Sequence, residues 1–352
     1  MVKIKIDNHE LEIQDGTTIL DAARQIGVDI PTMCYLKEFK PFTTCMVCMV
    51  KIKGREFLVP SCGALAEDGM DIETNTLDVL EARKKAVELL LSEHTGDCVA
   101  PCQRVCPMFV DIPAMIRSIQ KADFLHARDI IAQSAHPTDE FCAQCKKPCE
   151  SVCRRRIYDE PVSISSLMKS ALDHSTAPLL QPAAAKATDR TSPCSSRIRK
   201  LTREELEVFL DQNSKYKRVI PETASKGYTD HEAQKETARC LHCDCRKKDA
   251  CTLQRYADAF NSKQTTYSGE RIPFTQHVFD SYIYEPGKCI KCGICVNISK
   301  NAGVPSGFTF VHRGFDTSVD VPFNRYENER LKKIIPACIK NCPTGALAHN
   351  EE

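Results

Sequence analysis

Apolar and charged residues alternate from the start of the chain: Val2, Ile4 and Ile6 are separated by Lys3 and Lys5, and Leu11 and Ile13 flank Glu12. Alternation of period two predicts two half-buried strands. Asp7-Asn8 between them has the residue types of a tight turn. Thr18, with Asp21 three residues on, reads as a helix N-cap, and Gly27 reads as the residue just past that helix. From Leu77 to about Glu93 the spacing becomes helical, with Leu80, Val87, Leu90 and Leu91 on the expected apolar side. Residues 94 to 175 read as mainly helical between cysteine groups, Met115 to Ile131 being the clearest stretch. Residues 176 to 200 are rich in Ala, Pro, Ser and Thr, the composition of a linker or of an extended segment lying on a partner. A charged helix starts near Thr202, where Glu205 completes a capping box.

The expected organisation is α+β and multi-domain. It has a β-rich domain at 1–80, a helical domain at 81–175, a linker at 176–200, a helical cysteine-bearing segment at 201–284 and a compact module at 285–352. A chain of 352 residues has room for two or three domains. Its 48 Lys and Arg against 47 Asp and Glu leave almost no net charge, which argues against a nucleic-acid or membrane-surface protein. No apolar run approaches bilayer length, and the N-terminus lacks a signal peptide's apolar stretch, so a cytoplasmic location is expected.

The 21 cysteines change the picture. Most fall in tight groups, two to four residues apart. Thiolates that close in sequence converge on one point, as ligands of a soft metal centre must, whereas a disulfide scaffold is small and secreted. The first group, Cys34, Cys45, Cys48 and Cys62, has only one short pair, Cys45 and Cys48. Structural zinc sites usually show two such pairs, so this set reads as a plant-type two-iron site. The stretch 15–23, then Ile30-Pro31-Thr32-Met33-Cys34 and Gly69-Met70, resembles the N-terminal ferredoxin domain of the large iron–sulfur subunit of complex I and of iron-only hydrogenases. That resemblance implies a β-grasp plant-type ferredoxin with a [2Fe-2S] cluster. The family commonly sets a Gly and an Arg around the central Cys pair; Thr43-Thr44 precedes it here, a change that bears on hydrogen bonds to the cluster sulfurs.

A second group begins with His94, Cys98, Cys102 and Cys106-Pro107 and resumes with Cys142, Cys145, Cys149 and Cys153. Seven thiolates and one imidazole are enough for two [4Fe-4S] cubanes. With Ile112-Pro113, Arg154-Arg155 and the run 159–162, this stretch resembles the helical double-cubane domain of the glutamate synthase small subunit and of dihydropyrimidine dehydrogenase. Carried over by position, the resemblance implies one cubane on Cys98, Cys102 and Cys153, with His94 near the place of the missing fourth Cys. The other cubane takes Cys106, Cys145 and Cys149, with Cys142 as its fourth ligand. A His-x3-Cys here also resembles the His-ligated cluster of complex I.

The third group, Cys240, Cys243, Cys245 and Cys251, supplies four thiolates in twelve residues and suits either a cubane or zinc. The fourth, Cys289, Cys292 and Cys295 with the distant Cys342-Pro343, has the pattern of a single cubane. A two-cluster ferredoxin would carry a further Cys at position 299, which is Ser299. The surrounding residues resemble the bacterial-ferredoxin-like modules of the complex I and hydrogenase family. Cys194 and Cys338 are left over.

No Gly-rich dinucleotide fingerprint and no phosphate-binding loop occurs in the sequence. Several one-electron centres without a two-electron substrate site make an electron relay. One [2Fe-2S] and four [4Fe-4S] clusters are expected. By resemblance, the partners would be an NAD(P)H-oxidising flavoprotein subunit and a further redox subunit or ferredoxin. The competing reading is an enzyme with a flavin or substrate site of unfamiliar form.

Overall fold

The computed structural model describes residues 1–134, 144–174, 196–198, 201–210, 215–222, 227–268, 272–324, 326 and 328–350. Cys142, Cys194 and nearly all of the expected linker lie outside them. The fold is mixed α+β. By backbone contacts it divides into two compact units, one of Met1–Thr95 with Arg246–Glu351 and the other of Gly96–Cys245.

The first unit opens with β1 (Val2–Ile6) and β2 (His9–Ile13), paired antiparallel with Ile4 opposite Leu11. Asp7 and Asn8 both take positive φ, 45° and 74°, as a two-residue hairpin turn requires. With β3 (Met49–Ile52), β4 (Leu58–Pro60) and β5 (Asp71–Glu73) they form one sheet in the order β2-β1-β5-β3-β4. Only the β1–β5 pairing is parallel. Helix α1 (Ile19–Gln25) packs Ile19, Leu20, Ala22 and Ala23 on a core with Ile4, Ile6, Ile13, Val50 and Ile72. Thr18 accepts the Asp21 amide at 3.1 Å, and Gly27 takes φ 76°, so both ends of α1 are where the sequence puts them.

Helix α2 (Leu77–Ser92) contains residue 80, where the sequence places a domain boundary. Its buried side agrees with the expected one at Val87 and Leu91 and differs elsewhere. Val79, Arg83, Ala86, Val87, Glu88 and Leu91 are buried, while Leu80 and Leu90 are half-buried. The reason is polar. The Met49 carbonyl at the start of β3 faces this helix, and Arg83 donates to it from Nε and Nη2 at 3.2 and 2.8 Å. Hydrophobic periodicity does not register a charged residue turned inward to satisfy a backbone acceptor.

The C-terminal part of this unit has a small antiparallel sheet of His277–Val278, Tyr282–Tyr284 and Leu347–His349. A hairpin of Thr309–Val311 and Ser318–Asp320 and three helices, Thr252–Ala259, Ile294–Asn301 and Glu329–Asn341, accompany it.

The second unit is helical among its described residues. Its core joins Ile112, Met115, Ile116 and Ile119 to Phe124, Ala127 and Ile131, and to Ile164, Leu167, Met168 and Ala171. The expected continuous stretch from Met115 to Ile131 is two helices, Ile112–Gln120 and Phe124–Ala132. Ala122 takes φ 59° and Asp123 accepts the His126 amide at 3.0 Å, so one helix ends and a capped one starts within three residues. The helix Arg203–Leu210 carries the predicted capping box, with Thr202 N–H on Glu205 at 2.9 Å and Glu205 N–H on Thr202 at 3.3 Å. Among the described residues no helix is long and apolar enough to cross a membrane.

Candidate metal centres

In the first unit Cys34, Cys45, Cys48 and Cys62 are all buried. Cys34 hydrogen-bonds with Cys45 and Cys62, and Cys48 with Cys62, so the structure draws the predicted four together. Their positions follow from the scaffold. Cys48 leads directly into β3, and its carbonyl accepts the Ser61 amide at 3.0 Å. The first amides of α1, on Ile19 and Leu20, donate to Ala64 and Ser61 at 2.9 and 3.0 Å, which fixes the loop carrying Cys62. Hydrogen bonds from the Cys45 and Cys62 thiols, joined by the Cys45 and Thr44 amides, pull Cys34 down to about 2. The hydrogen bond from Cys62 lowers Cys48 to about 7. The same hydrogen bonds raise Cys45 and Cys62, so the four share thiol protons, and all become thiolates, the form that binds iron, only when a cation takes the place of those protons. Thr43 keeps a positive φ of 55° despite its branched side chain, and its Cγ2 would stand 2.7 Å from a Cβ on Gly63, the residue after Cys62. The departure at Thr43-Thr44 therefore leaves the amide contact of residue 44 to sulfur in place.

Cys289, Cys292, Cys295 and Cys342 line one cavity, and Cys338, left over in the sequence, lines it with them. Gly293, at φ 75°, precedes the helix that carries Cys295 in its first turn. Cys342 ends the helix Glu329–Asn341, its amide donating to Cys338 O at 2.9 Å. Thr344 donates to Lys288 O at 2.8 Å, and Lys247 Nζ donates to Ile339 O and Cys342 O at 2.6 and 2.5 Å. Both cysteine-bearing segments of the site are thereby held. Burial first, then the charge of Cys342, pushes Cys289 up to about 12 and raises Cys292. Buried thiols that repel one another need a cation to be held as thiolates together. Ser299 is buried and accepts the Phe308 amide at 3.0 Å, so a structural hydroxyl occupies the position where a second cluster would need a thiol.

His94 follows α2 and is buried. Desolvation, then Lys288, lowers it to about 3, which leaves a neutral imidazole, the form that ligates metals. Its amide donates to Leu91 O at 3.1 Å, and its carbonyl accepts from Gln264 at 3.1 Å. Cys251 is half-buried at the N-cap of the helix Thr252–Ala259.

In the second unit Cys106, Cys145 and Cys149 line one cavity with Pro107, Met108 and Met168. Glu150 accepts the Ser165 amide and hydroxyl at 2.9 and 2.8 Å, fixing Cys149 to the helix Ile164–Leu172. The predicted fourth member, Cys142, is outside the described residues. Cys102 and Cys153 pack on the same core as Cys240. Desolvation, followed by the charges of Cys240, Cys243 and Cys153, raises Cys102 well above the ordinary thiol range. Cys98 and Cys245 are buried, and the Cys245 amide faces Cys98 O at 3.5 Å. Sequence reasoning does not anticipate the approach of Cys240 and Cys243 to Cys102, because no local signal records which loops meet across 140 residues.

Among the described residues no group of three or more His, Cys, Asp or Glu side chains could hold a single metal ion. A cluster takes its thiolates at separate iron corners, so wider sulfur sets of this kind fit it.

Residues 1–77 match the 2Fe-2S iron-sulfur cluster binding domain family, and residues 82–178 match dihydropyrimidine dehydrogenase domain II, 4Fe-4S cluster. An NADH-quinone oxidoreductase subunit of Rhizobium meliloti (strain 1021) is 33% identical over 162 residues, 43% of this chain and 19% of that protein. The HndD subunit of the NADP-reducing hydrogenase of Solidesulfovibrio fructosivorans is 35% identical over 163 residues, 44% of this chain and 28% of its own length. The gamma subunit of the NAD-reducing hydrogenase HoxS of Cupriavidus necator is 36% identical over 97 residues, 28% of this chain and 41% of that protein. The matched part is thus less than half of each of these relatives. This chain carries an N-terminal 2Fe–2S ferredoxin-type domain followed by a 4Fe–4S region of the dihydropyrimidine dehydrogenase domain II type, and over part of its length it is similar to NADH-quinone oxidoreductase and hydrogenase subunits.

Proposed function

We propose that the chain is a multi-cluster electron relay between an NAD(P)H-oxidising flavoprotein subunit and a further redox subunit or ferredoxin. When bound, iron–sulfur clusters supply one-electron transfer at potentials set by cluster type, hydrogen bonds to sulfur and burial. The observation that carries this reading is the junction between two sulfur sets of the first unit. Thr44, beside Cys45, donates to the carbonyl of Lys291, between Cys289 and Cys292, at 3.3 Å. Asn297 donates to Lys40 O at 3.2 Å, and the charge of Cys34 reaches Cys292. A β-grasp two-iron domain and a C-terminal ferredoxin-like module with ligands Cys289, Cys292, Cys295 and Cys342 would then stand as neighbouring stations. The names of the relatives, NADH-quinone, NADP-reducing and NAD-reducing, support a pyridine-nucleotide-linked partner.

The reading includes one [2Fe-2S] and four [4Fe-4S] clusters, about eighteen iron atoms per chain. Anaerobic purification with iron and acid-labile sulfide analysis, and stepwise reduction followed by electron paramagnetic resonance, tests it. Expected are two-iron and four-iron signals, and no NADH oxidation until a flavoprotein subunit is added. A colourless, sulfide-free chain, or one that binds stoichiometric flavin and turns over alone, overturns it.

A further inference from the structure

In the second unit the residues beside three of the cysteines are tied together by buried ion pairs. Arg239, next to Cys240, is fully buried. It donates to Glu236 at 2.7 Å, Glu160 O at 2.6 Å and Asp159 at 3.1 Å. Glu236 in turn accepts the Ser163 amide at 2.9 Å. The chain entering Cys240 is therefore fastened to the segment that leaves Cys153. Arg154, next to Cys153, reaches the other way, pairing with the buried Asp97 and hydrogen-bonding the Cys243 thiol. Arg117, on the helix Ile112–Gln120, grips Asp244 through both guanidinium ends at 3.1 and 2.8 Å. These clamps leave Cys240 and Cys243 little choice of neighbours.

The fourth thiol is on the short helix Pro101–Val105. Cys102 lies against the same apolar core as Cys153 and Cys240, and feels the charges of Cys153, Cys240 and Cys243. Arg154 acts on Cys243 and Arg239 on Cys153, each as a favourable charge. A cluster with four thiolate ligands is an anionic group, and buried guanidinium groups beside it offset its charge.

We propose that Cys102, Cys153, Cys240 and Cys243 hold one four-iron centre, built from three segments of the chain. Residues 240–251 then form no self-contained site, and Cys98 is not a ligand of the cubane that holds Cys102 and Cys153. The inference rests on the iron–sulfur reading above and extends it to a ligand set that crosses the sequence groups.

The test uses the full chain, purified anaerobically and reconstituted with iron and sulfide, as Cys153→Ala, Cys240→Ala and the double variant. Each single variant is expected to lose about four irons, and the double variant the same four and no more. A double variant that loses about eight places the two residues in different centres and overturns the proposal. A wild-type chain without iron or sulfide instead removes the underlying reading, a result that cannot be mistaken for the first. Should the alanine variants precipitate, Cys153→Ser and Cys240→Ser carry the test by paramagnetic resonance. Alteration of one and the same four-iron signal in both supports the shared centre, and alteration of two different signals refutes it.

Discussion

The ring of Phe42 lies over Gly293 so closely that a Cβ on the glycine would run into Phe42 Cδ2 and Cε2. Phe42 precedes Cys45 of the first sulfur set, and Gly293 follows Cys292 of the last, so this contact seats one cysteine loop on the other. Gly293 also holds φ at 75°, a conformation that a side chain resists.

Gly293→Ala should therefore destabilise the chain by about 2–4 kcal/mol, the sum of strain and overpacking. Gly16 has a similar φ of 82° but open space around it, so Gly16→Ala should cost only about 1 kcal/mol. Denaturant unfolding of the two variants measures the difference, and equal losses would show that the Phe42 contact contributes nothing.

Arg83 satisfies the Met49 carbonyl from inside α2. Arg83→Met keeps the apolar stem and removes both donors, which should cost about 1–3 kcal/mol. Because Met49 follows Cys48, the signal of the two-iron site should broaden as well. A variant with unchanged unfolding midpoint and unchanged spectrum would contradict this account.

Cys338 and Cys342 line the same cavity, yet they are not equivalent. The charge of Cys342 is the leading neighbour effect on both Cys289 and Cys292, where that of Cys338 does not figure; at Cys295 Cys338 comes just ahead of Cys342, and both come behind Cys289 and Cys292. Cys342→Ala should remove about four irons per chain, and Cys338→Ala should leave the iron content intact. Iron analysis of the two variants decides it; the reverse pattern would make Cys338 the ligand.

His174 stacks on Phe124 with ring centroids 4.1 Å apart, and its Nε2 lies 3.0 Å from Asp230. Desolvation lowers its proton affinity, but the Ser170 carbonyl and the Asp230 carboxylate outweigh that and raise it above 6.5. The folded value exceeds the unfolded one, so this stabilisation is complete below about pH 6.5 and is lost as pH rises through the raised folded value. Unfolding measured from pH 6 upward should show the loss in the wild type and a flatter profile in Asp230→Asn. Parallel profiles would exclude the pair as its source.

What the sequence made legible is local. The Asp7-Asn8 turn, the Thr18 and Thr202 caps and the Gly27 stop each depend on residues a few positions apart, and each has its counterpart in the structure. The break at Ala122 escapes such reasoning because a left-handed alanine has no sequence signature, and the charged inner face of α2 escapes it because Arg83 answers a carbonyl on another element.

By itself, then, the sequence determined that cysteine groups exist and how tightly each is spaced. Only the tertiary structure decided which groups meet: Cys240 and Cys243 with Cys102 and Cys153, and Cys338 in the cavity of Cys342. The physical reason is range. Backbone capping and turn preferences act over three or four residues, whereas convergence of distant sulfurs is set by buried ion pairs such as Arg154 with Asp97 and Arg117 with Asp244, which form only once the helices have packed.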